Sequence, residues 1–118
     1  MNLDTLLQTL EHTPERVEFE DAMAVIDACY HFTPTPFKNG DVTNPAGQNP
    51  GSCKLFAFAQ LHGLSPQQTL ACFGRYYRED VLKHPDGTDH QNIRNFIQHG
   101  WAGIHFDAAP LTLKVAAG

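Results

Sequence analysis

The sequence predicts a single α+β domain that is predominantly helical, with about five or six helices and a small antiparallel β element. Three observations indicate this class. Apolar residues recur at helical spacing, two Ser/Thr-x-x-Gln capping boxes mark helix starts, and apolar residues alternate near the C-terminal end. With 118 residues, the chain is long enough to bury a core without a metal or disulfide, so we expect one domain over residues 1–118.

The N-terminal part predicts two helices. Four leucines spaced three and four positions apart form one apolar face and predict a helix ending near His12: Leu3, Leu6, Leu7 and Leu10. Thr13 and Pro14 interrupt the pattern. A second helix is expected from about Glu18 to Tyr30, with these residues on its apolar face: Phe19, Met23, Ile26 and Tyr30.

Residues 31–49 break the helical periodicity with prolines and an Asn-Gly pair. Asn39-Gly40 is a strong signal for a β-hairpin turn. A two-residue turn there pairs Lys38 with Asp41, and the following pair would require an N–H from Pro36, which proline lacks. The segment therefore predicts a hairpin of one or two pairs, or a looser turn.

A buried central helix is predicted over residues 50–63, because apolar side chains surround nearly its whole circumference. Gly63 ends this helix. Ser65 and Gln68 then form a capping box with Pro66 at the first helical position, which predicts the start of the next helix.

Two more helices follow. Gly74 breaks the preceding helix, and the next is expected from about Arg75 to Leu82 with these residues facing inward: Tyr77, Val81 and Leu82. Thr88 and Gln91 form the second capping box, which opens a helix running to about His99.

The C-terminal part predicts two short strands. Ile104 and Phe106 alternate with polar residues, as do Leu111 and Leu113. Val115–Gly118 is expected to be a frayed tail.

The composition excludes several classes of protein. A net charge of -5 provides no basic face for nucleic acid, because binding phosphates requires clustered Lys and Arg. No apolar stretch is long enough to span a bilayer, and the first residues carry acids where a secretory signal carries Lys or Arg. We therefore expect a cytoplasmic protein that binds neither nucleic acid nor membrane. Three cysteines without CxxC spacing predict reduced, buried thiols: Cys29, Cys53 and Cys72.

Cys53 is the candidate catalytic nucleophile. It lies in the first turn of the predicted central helix, where unsatisfied N–H groups and the helix dipole favour a thiolate, and Lys54 is adjacent. The stretch GQNPGSCKLFAF also resembles the helix start of papain-like cysteine hydrolases, in which a Gln before the cysteine helps to bind an oxyanion. In this chain that residue is Gln48. The alternative is a small apolar core residue, a common role of free cysteine.

Four metal-binding residue types lie within one short segment: His84, Asp86, Asp89 and His90. Two imidazoles and two carboxylates suit a divalent transition metal, and water bound to that metal would be a nucleophile. The alternative is structural, because Asp86 is a turn former and Asp89 suits the start of a helix.

A third cluster predicts a pocket for an anion or a peptide, in which Arg makes bidentate contacts and Tyr forms an amphipathic wall. Its residues are Tyr77, Arg78, Glu79, Asp80, Arg94 and Trp101, with Arg75 and Tyr76 beside them. The alternative is a set of ion pairs on the helix surface, such as Arg75 with Glu79.

Residues 46–101 resemble the HopJ type III effector family. The matching blocks are GQNPGSCK, YYREDVL and GTDHQNIRNF, and the N-terminal helices followed by YHFTPTPFKNG fit the same pattern. The resemblance therefore covers almost the whole chain. It implies a protein that a plant pathogen's secretion system passes into host cells, and it brings no activity, cofactor or catalytic residue with it.

Together these patterns predict a small bacterial binding or interaction module of the HopJ type. Its expected partner is an unknown protein or a small anionic ligand, met in the cytoplasm or, for an effector, in a host cell. The alternative is an enzyme, either a papain-like cysteine hydrolase or a metal-assisted hydrolase. No cofactor is predicted apart from the divalent metal of the second alternative.

Overall fold

The computed structural model describes residues 1–114 and confirms the predominantly helical α+β class. Helices α1 to α5 span Leu3–His12, Phe19–Cys29, Pro50–Leu61, Pro66–Ala71 and Gln91–His99. Strands β1 to β5 span Tyr30–Phe32, Phe37–Asn39, Val42–Asn44, Ile104–Phe106 and Leu111–Leu113. A π-helix covers Tyr76–Val81, and short 3₁₀ turns cover Pro14–Arg16 and Gly100–Gly103.

Helices α1 and α2 follow the predicted apolar spacing. Leu6 and Leu10 of α1 are buried in one core with Ile26 of α2. Helix α2 ends at Cys29, slightly before the predicted end, because Tyr30 adopts an extended backbone and begins β1.

Helix α3 forms the centre of the core, as predicted for a helix that is apolar on all sides. Its buried residues are Cys53, Leu55, Phe56, Ala57, Phe58 and Ala59. The Phe56 ring centroid lies 5.0 Å from that of Phe96, 5.5 Å from that of Phe73 and 6.4 Å from that of Trp101. These contacts join α3 to the segments that follow it in the chain.

The predicted start of α4 is confirmed atom by atom. Ser65 Oγ accepts a hydrogen bond from the Gln68 N–H at 3.1 Å, and Gln68 Oε1 accepts one from the Ser65 N–H at 3.1 Å. Such a reciprocal pair satisfies N–H groups that a helix start leaves free.

The helix predicted from Arg75 to Leu82 is a π-helix. The Leu82 N–H donates to the carbonyl of Tyr77, five residues earlier, at 3.0 Å. Because a π turn holds more residues than an α turn, it rotates the side chains that follow. Val81 is buried as predicted, but Leu82 is 53% exposed, so its predicted inward position is wrong.

The predicted capping box at Thr88 is also wrong, because α5 begins at Gln91 with His90 as its N-cap. Gln91 instead donates its side-chain N–H to the Thr88 carbonyl at 2.6 Å. Arg94 holds the preceding turn by donating to the carbonyls of His84 at 2.8 Å and Asp89 at 2.6 Å. The turn is therefore organised by a side chain from within α5.

The hairpin at Asn39-Gly40 forms in a different register from the predicted one. Asn39 pairs with Val42, Lys38 with Thr43 and Phe37 with Asn44, so the turn residues are Gly40 and Asp41 and the hairpin has three pairs instead of the predicted one or two. Gly40 has a φ of 58° at the first central turn position, a conformation open to glycine. Pro36 falls outside this ladder, so its missing N–H disrupts no pair with β3.

Both C-terminal strands form, but they belong to different sheets. Strand β4 pairs antiparallel with β2 in the order β3-β2-β4, whereas β5 pairs antiparallel with β1. The frayed tail predicted for Val115–Gly118 lies outside the described residues. Across residues 1–114, no helix is both long and apolar enough to cross a membrane.

Candidate functional site

A cavity of about 590 Å³ lies between the N-terminal ends of α3 and α5. We call it the two-helix pocket. It is lined by Phe19, Val42, Asn49, Gly51, Ser52, Phe73, Tyr76, His90, Gln91, Asn92 and Ile93. Its volume falls within the range of about 300–1,000 Å³ that is typical of small-molecule sites.

Both helices at the pocket begin in the same unusual way. Asn49 and His90 are their N-caps, with φ values of 51° and 50°, and they are the non-glycine residues of positive φ in the described chain. Neither helix start has a side-chain cap. The first intrahelical bonds are those of the Cys53 and Arg94 N–H groups, at 3.0 and 3.1 Å. The N–H groups before them are therefore left to solvent or a ligand.

A network of asparagines, buried except at Asn49, holds the two helix starts together. Asn44 Oδ1 accepts hydrogen bonds from Asn49 Nδ2 at 2.7 Å and from Asn92 Nδ2 at 3.0 Å. Asn39 Nδ2 donates to the Asn92 carbonyl at 2.7 Å. Asn39 and Asn44 belong to the β2–β3 hairpin, so this hairpin sets the position of α5 relative to α3.

One side of the pocket is aromatic. The Phe19 ring stacks on Phe73 with centroids 6.0 Å apart and meets Tyr76 edge-on at 5.6 Å. The Tyr76 ring lies 5.4 Å from the His90 imidazole. Phe19 also reaches the start of α3, because a Cβ added to Gly51 would lie 2.7 Å from Phe19 Cζ. The aromatic side and the helix starts are thus in direct contact.

Among residues 1–114, no Asp, Glu, Lys or Arg lines the two-helix pocket. The carboxylates nearby have partners: Asp80 Oδ2 lies 3.1 Å from His90 Nε2, and Asp89 Oδ1 accepts from Arg94 at 2.6 Å. The hydrogen bond from Arg94 lowers the pKa of the Asp89 carboxyl. The residues at the two helix starts therefore line the pocket together with side chains that carry no negative charge.

The four residues predicted to bind a metal do not converge on one point, although Asp89 Oδ2 lies 3.8 Å from His90 Nε2. His84, Asp86 and Asp89 are exposed, and His90 faces the two-helix pocket. Across residues 1–114, no three His, Cys, Asp or Glu side chains are placed to share a metal ion. His90 is the member of this set that belongs to the pocket.

Cys53 is 2% exposed, and its thiol lies 3.7 Å from the Thr35 carbonyl oxygen. Burial raises the pKa of the thiol to about 11, against a small opposing effect of the contact with Thr35. No histidine in the described chain is hydrogen bonded to it. These surroundings match the alternative prediction of a core residue.

The residues of the predicted anion or peptide pocket are dispersed. Arg78 pairs with Glu18 at 3.0 Å, Glu79 pairs with Lys83 at 3.5 Å, and Asp80 bonds to His90. Tyr77 and Arg78 line a smaller cavity of about 230 Å³.

Two further members of that set have structural contacts. Trp101 packs on Phe56 and Phe96 and donates its indole N–H to the Leu64 carbonyl at 3.1 Å. Arg94 holds the turn before α5. Of the alternative ion pairs on the helix surface, Lys83 with Glu79 is present, whereas Arg75 pairs with Glu20 instead of Glu79.

Sequence reasoning missed most of the two-helix pocket. Asn44, Asn49 and Asn92 lie up to 48 positions apart, and no local pattern marks them as partners. Asn49 lies directly before α3, whereas Asn92 lies inside the first turn of α5, so the two asparagines share no sequence motif.

The comparisons with known proteins agree on the family and the fold. The model of the HopJ type III effector protein family matches residues 3–111. The crystal structure of "unknown function protein VPA0580" is 55% identical, covers 97% of this chain and 95% of that chain, and superposes with a TM-score of 0.95. No curated protein matches the chain.

Proposed function

This chain belongs to the HopJ type III effector family, and on that premise we propose that it is a binding module for a ligand with a negatively charged group. The ligand would occupy the two-helix pocket, with its charge at the starts of α3 and α5. The small anionic partner expected from the sequence would then bind in the two-helix pocket.

The observation that carries the proposal is the convergence of two uncapped helix starts on one cavity of about 590 Å³. Each helix start bears a partial positive charge and free N–H donors, both of which favour an anion. The attraction of an anion is strongest where no carboxylate competes for these N–H donors. No carboxylate of residues 1–114 lines this pocket.

The hydrolase alternatives have less support from the same geometry. Cys53 lies in the core with a raised pKa, so little of it is a thiolate near neutral pH. The residues of the metal-assisted alternative are spread over the exposed turn before α5 and the pocket wall.

The test of the proposal compares a phenyl ligand that carries an anionic phosphate group with one that is uncharged. Binding of phenyl phosphate and of phenol is measured by calorimetry and by amide chemical shifts, which report on the N–H groups of Gly51, Ser52, Gln91 and Asn92. We expect phenyl phosphate to bind about tenfold or more tighter than phenol, since two helix starts attract its charge. Equal binding of the two, or no binding of phenyl phosphate, would contradict the proposal.

A matched pair of variants locates the site. Gln91→Glu places a negative charge at the start of α5, whereas Gln98→Glu places the same charge near the other end of that helix. Both side chains are exposed, so both variants should fold. We expect Gln91→Glu to weaken phenyl phosphate binding about tenfold through repulsion, and Gln98→Glu to leave it almost unchanged.

Delivery into a host cell is a separate proposal that rests on the family description alone. It can be tested by fusing the chain to an adenylate cyclase reporter that is active only inside host cells. A rise in cyclic AMP that requires an intact type III secretion system would support delivery. The binding proposal does not depend on that result.

A further inference from the structure

We propose that the ligand of the two-helix pocket is an aromatic anion, with a planar ring linked to a phosphate or carboxylate group. The ring would lie against the aromatic side of the pocket while the charged group meets the helix starts. This inference rests on the proposed function and names the class of ligand that the same pocket selects.

One wall of the two-helix pocket is formed by a row of rings. Phe73, Phe19, Tyr76 and His90 follow one another, with neighbouring centroids 6.0, 5.6 and 5.4 Å apart. All four belong to the lining of the pocket. These separations are typical of rings in direct contact, so the wall is continuous.

The rings of this wall differ in how far they are buried. Phe73 is 3% exposed and belongs to the core. Phe19, Tyr76 and His90 are half-buried, so part of each ring stays accessible in the pocket. A ligand ring that covers this surface gains both burial of apolar area and a favourable ring contact.

The aromatic wall lies close to the helix starts, where the charged group of the ligand would bind. Phe19 lies against Gly51 of the α3 start, and His90 is both the N-cap of α5 and the last ring of the wall. A single small ligand can therefore touch rings and free N–H groups at once. The lining contains no carboxylate that would favour a cationic ring instead.

The experiment compares ligands of equal charge and nearly equal size that differ in ring planarity. The probes are phenyl phosphate against cyclohexyl phosphate, and benzoate against cyclohexanecarboxylate. Cyclohexyl groups are the more hydrophobic, so simple apolar burial would favour them. We expect the planar member of the better-binding pair to bind about fivefold tighter, since ring contacts add to burial. The pair that binds better identifies phosphate or carboxylate as the charged group.

Two neighbouring tyrosines provide matched variants. Tyr76→Leu removes a ring from the wall, whereas Tyr77→Leu removes a ring that lines a different cavity. We expect Tyr76→Leu to abolish the preference for the planar ligand and Tyr77→Leu to retain it. Retained binding of cyclohexyl phosphate shows that each variant is folded.

The outcomes separate the two proposals. If planar and non-planar ligands bind equally, the aromatic class is overturned while the anion site stands. If phenol binds as well as phenyl phosphate, the anion site is overturned. If none of the probes binds, both are overturned. A planar preference that Tyr76→Leu leaves intact also overturns the proposed place of the ring.

Discussion

Cys53 lies in the first turn of α3, where the helix dipole favours a thiolate, yet its pKa is raised to about 11. The dipole contributes only about 0.3–1 kcal/mol near a helix start, and removal from water opposes the charged form more strongly. The same effect raises the pKa of buried Cys72 to about 12. At Cys53 burial therefore has a larger effect on the pKa than the position at the helix start.

We expect iodoacetamide at pH 8 to alkylate Cys29 first, because Cys29 is half-buried and the other two thiols are buried. Cys53 and Cys72 should react only as fast as the protein unfolds. Peptide mass spectrometry of samples taken over time measures each rate. Alkylation of Cys53 as fast as Cys29 would contradict this and revive the hydrolase alternative.

The buried thiols of Cys53 and Cys72 should make the unfolding free energy depend on pH. Their raised pKa values mean that the folded protein keeps protons that unfolded thiols release above about pH 9. The stability that the two protonated thiols contribute is therefore complete below about pH 9. It is lost as the pH rises towards about 11 for Cys53 and about 12 for Cys72. Cys53→Ala should reduce the loss of unfolding free energy across that interval, as measured by urea denaturation. An unchanged pH dependence would contradict this assignment.

At the scale of elements, the start of the π-helix is held by contacts that involve Gly74 and Glu18. Gly74 has a φ of 61° and lies directly against Glu18, whose Oε1 accepts the Arg75 N–H at 3.0 Å. Arg78 pairs with the same carboxylate at 3.0 Å. The segment is therefore tied to the residue before α2: Arg78 pairs across elements with Glu18, whereas Glu79 pairs with Lys83 four residues later.

Two glycines with nearly the same φ, Gly63 and Gly74, allow the contact between Gly74 and Glu18 to be tested by mutation. Gly63 and Gly74 have φ values of 62° and 61°, but a Cβ meets nothing within 4 Å at Gly63 and lies 2.8 Å from Glu18 Cα at Gly74. We expect Gly63→Ala to cost about 1 kcal/mol of unfolding free energy from backbone strain alone. Gly74→Ala should cost about 3 kcal/mol or more, because the clash adds to the strain.

Chemical denaturation of both variants measures the difference. Similar costs for the two glycines would show that Glu18 moves aside, and the close approach of the two segments would then have little effect on stability.

At the scale of the whole molecule, the last strand closes the fold. Strand β5 pairs with β1, which follows α2, so the C-terminal part of the described chain returns to its N-terminal half. Leu111 is 5% exposed and belongs to the core, whereas Leu113 on the same strand is 66% exposed. The strand thus buries one leucine and presents the other to solvent.

We expect Leu111→Ala to lower the unfolding free energy by about 2–5 kcal/mol, because it leaves a cavity in the core. Leu113→Ala should change it by less than about 0.5 kcal/mol, since its side chain is largely in water already. Thermal or urea denaturation compares the two. Equal effects would mean that β5 does not pack on the core as described.

The sequence by itself determined helices α1 and α3 and the start of α4. The spacing of leucines in α1, the apolar circumference of α3 and the capping box at Ser65 all correspond to observed features. These signals are local, because residues three and four apart interact within one helix and a cap bonds to its own first turn.

Only the tertiary structure decided which strands pair, where the chain forms a pocket and whether Cys53 is ionised. Strands β4 and β5 have similar patterns, yet their partners are distant and differ. The asparagines that join the helix starts are equally far apart in the chain. Pairing, pocket formation and desolvation depend on which distant segments approach a residue, and periodicity contains no information about that approach.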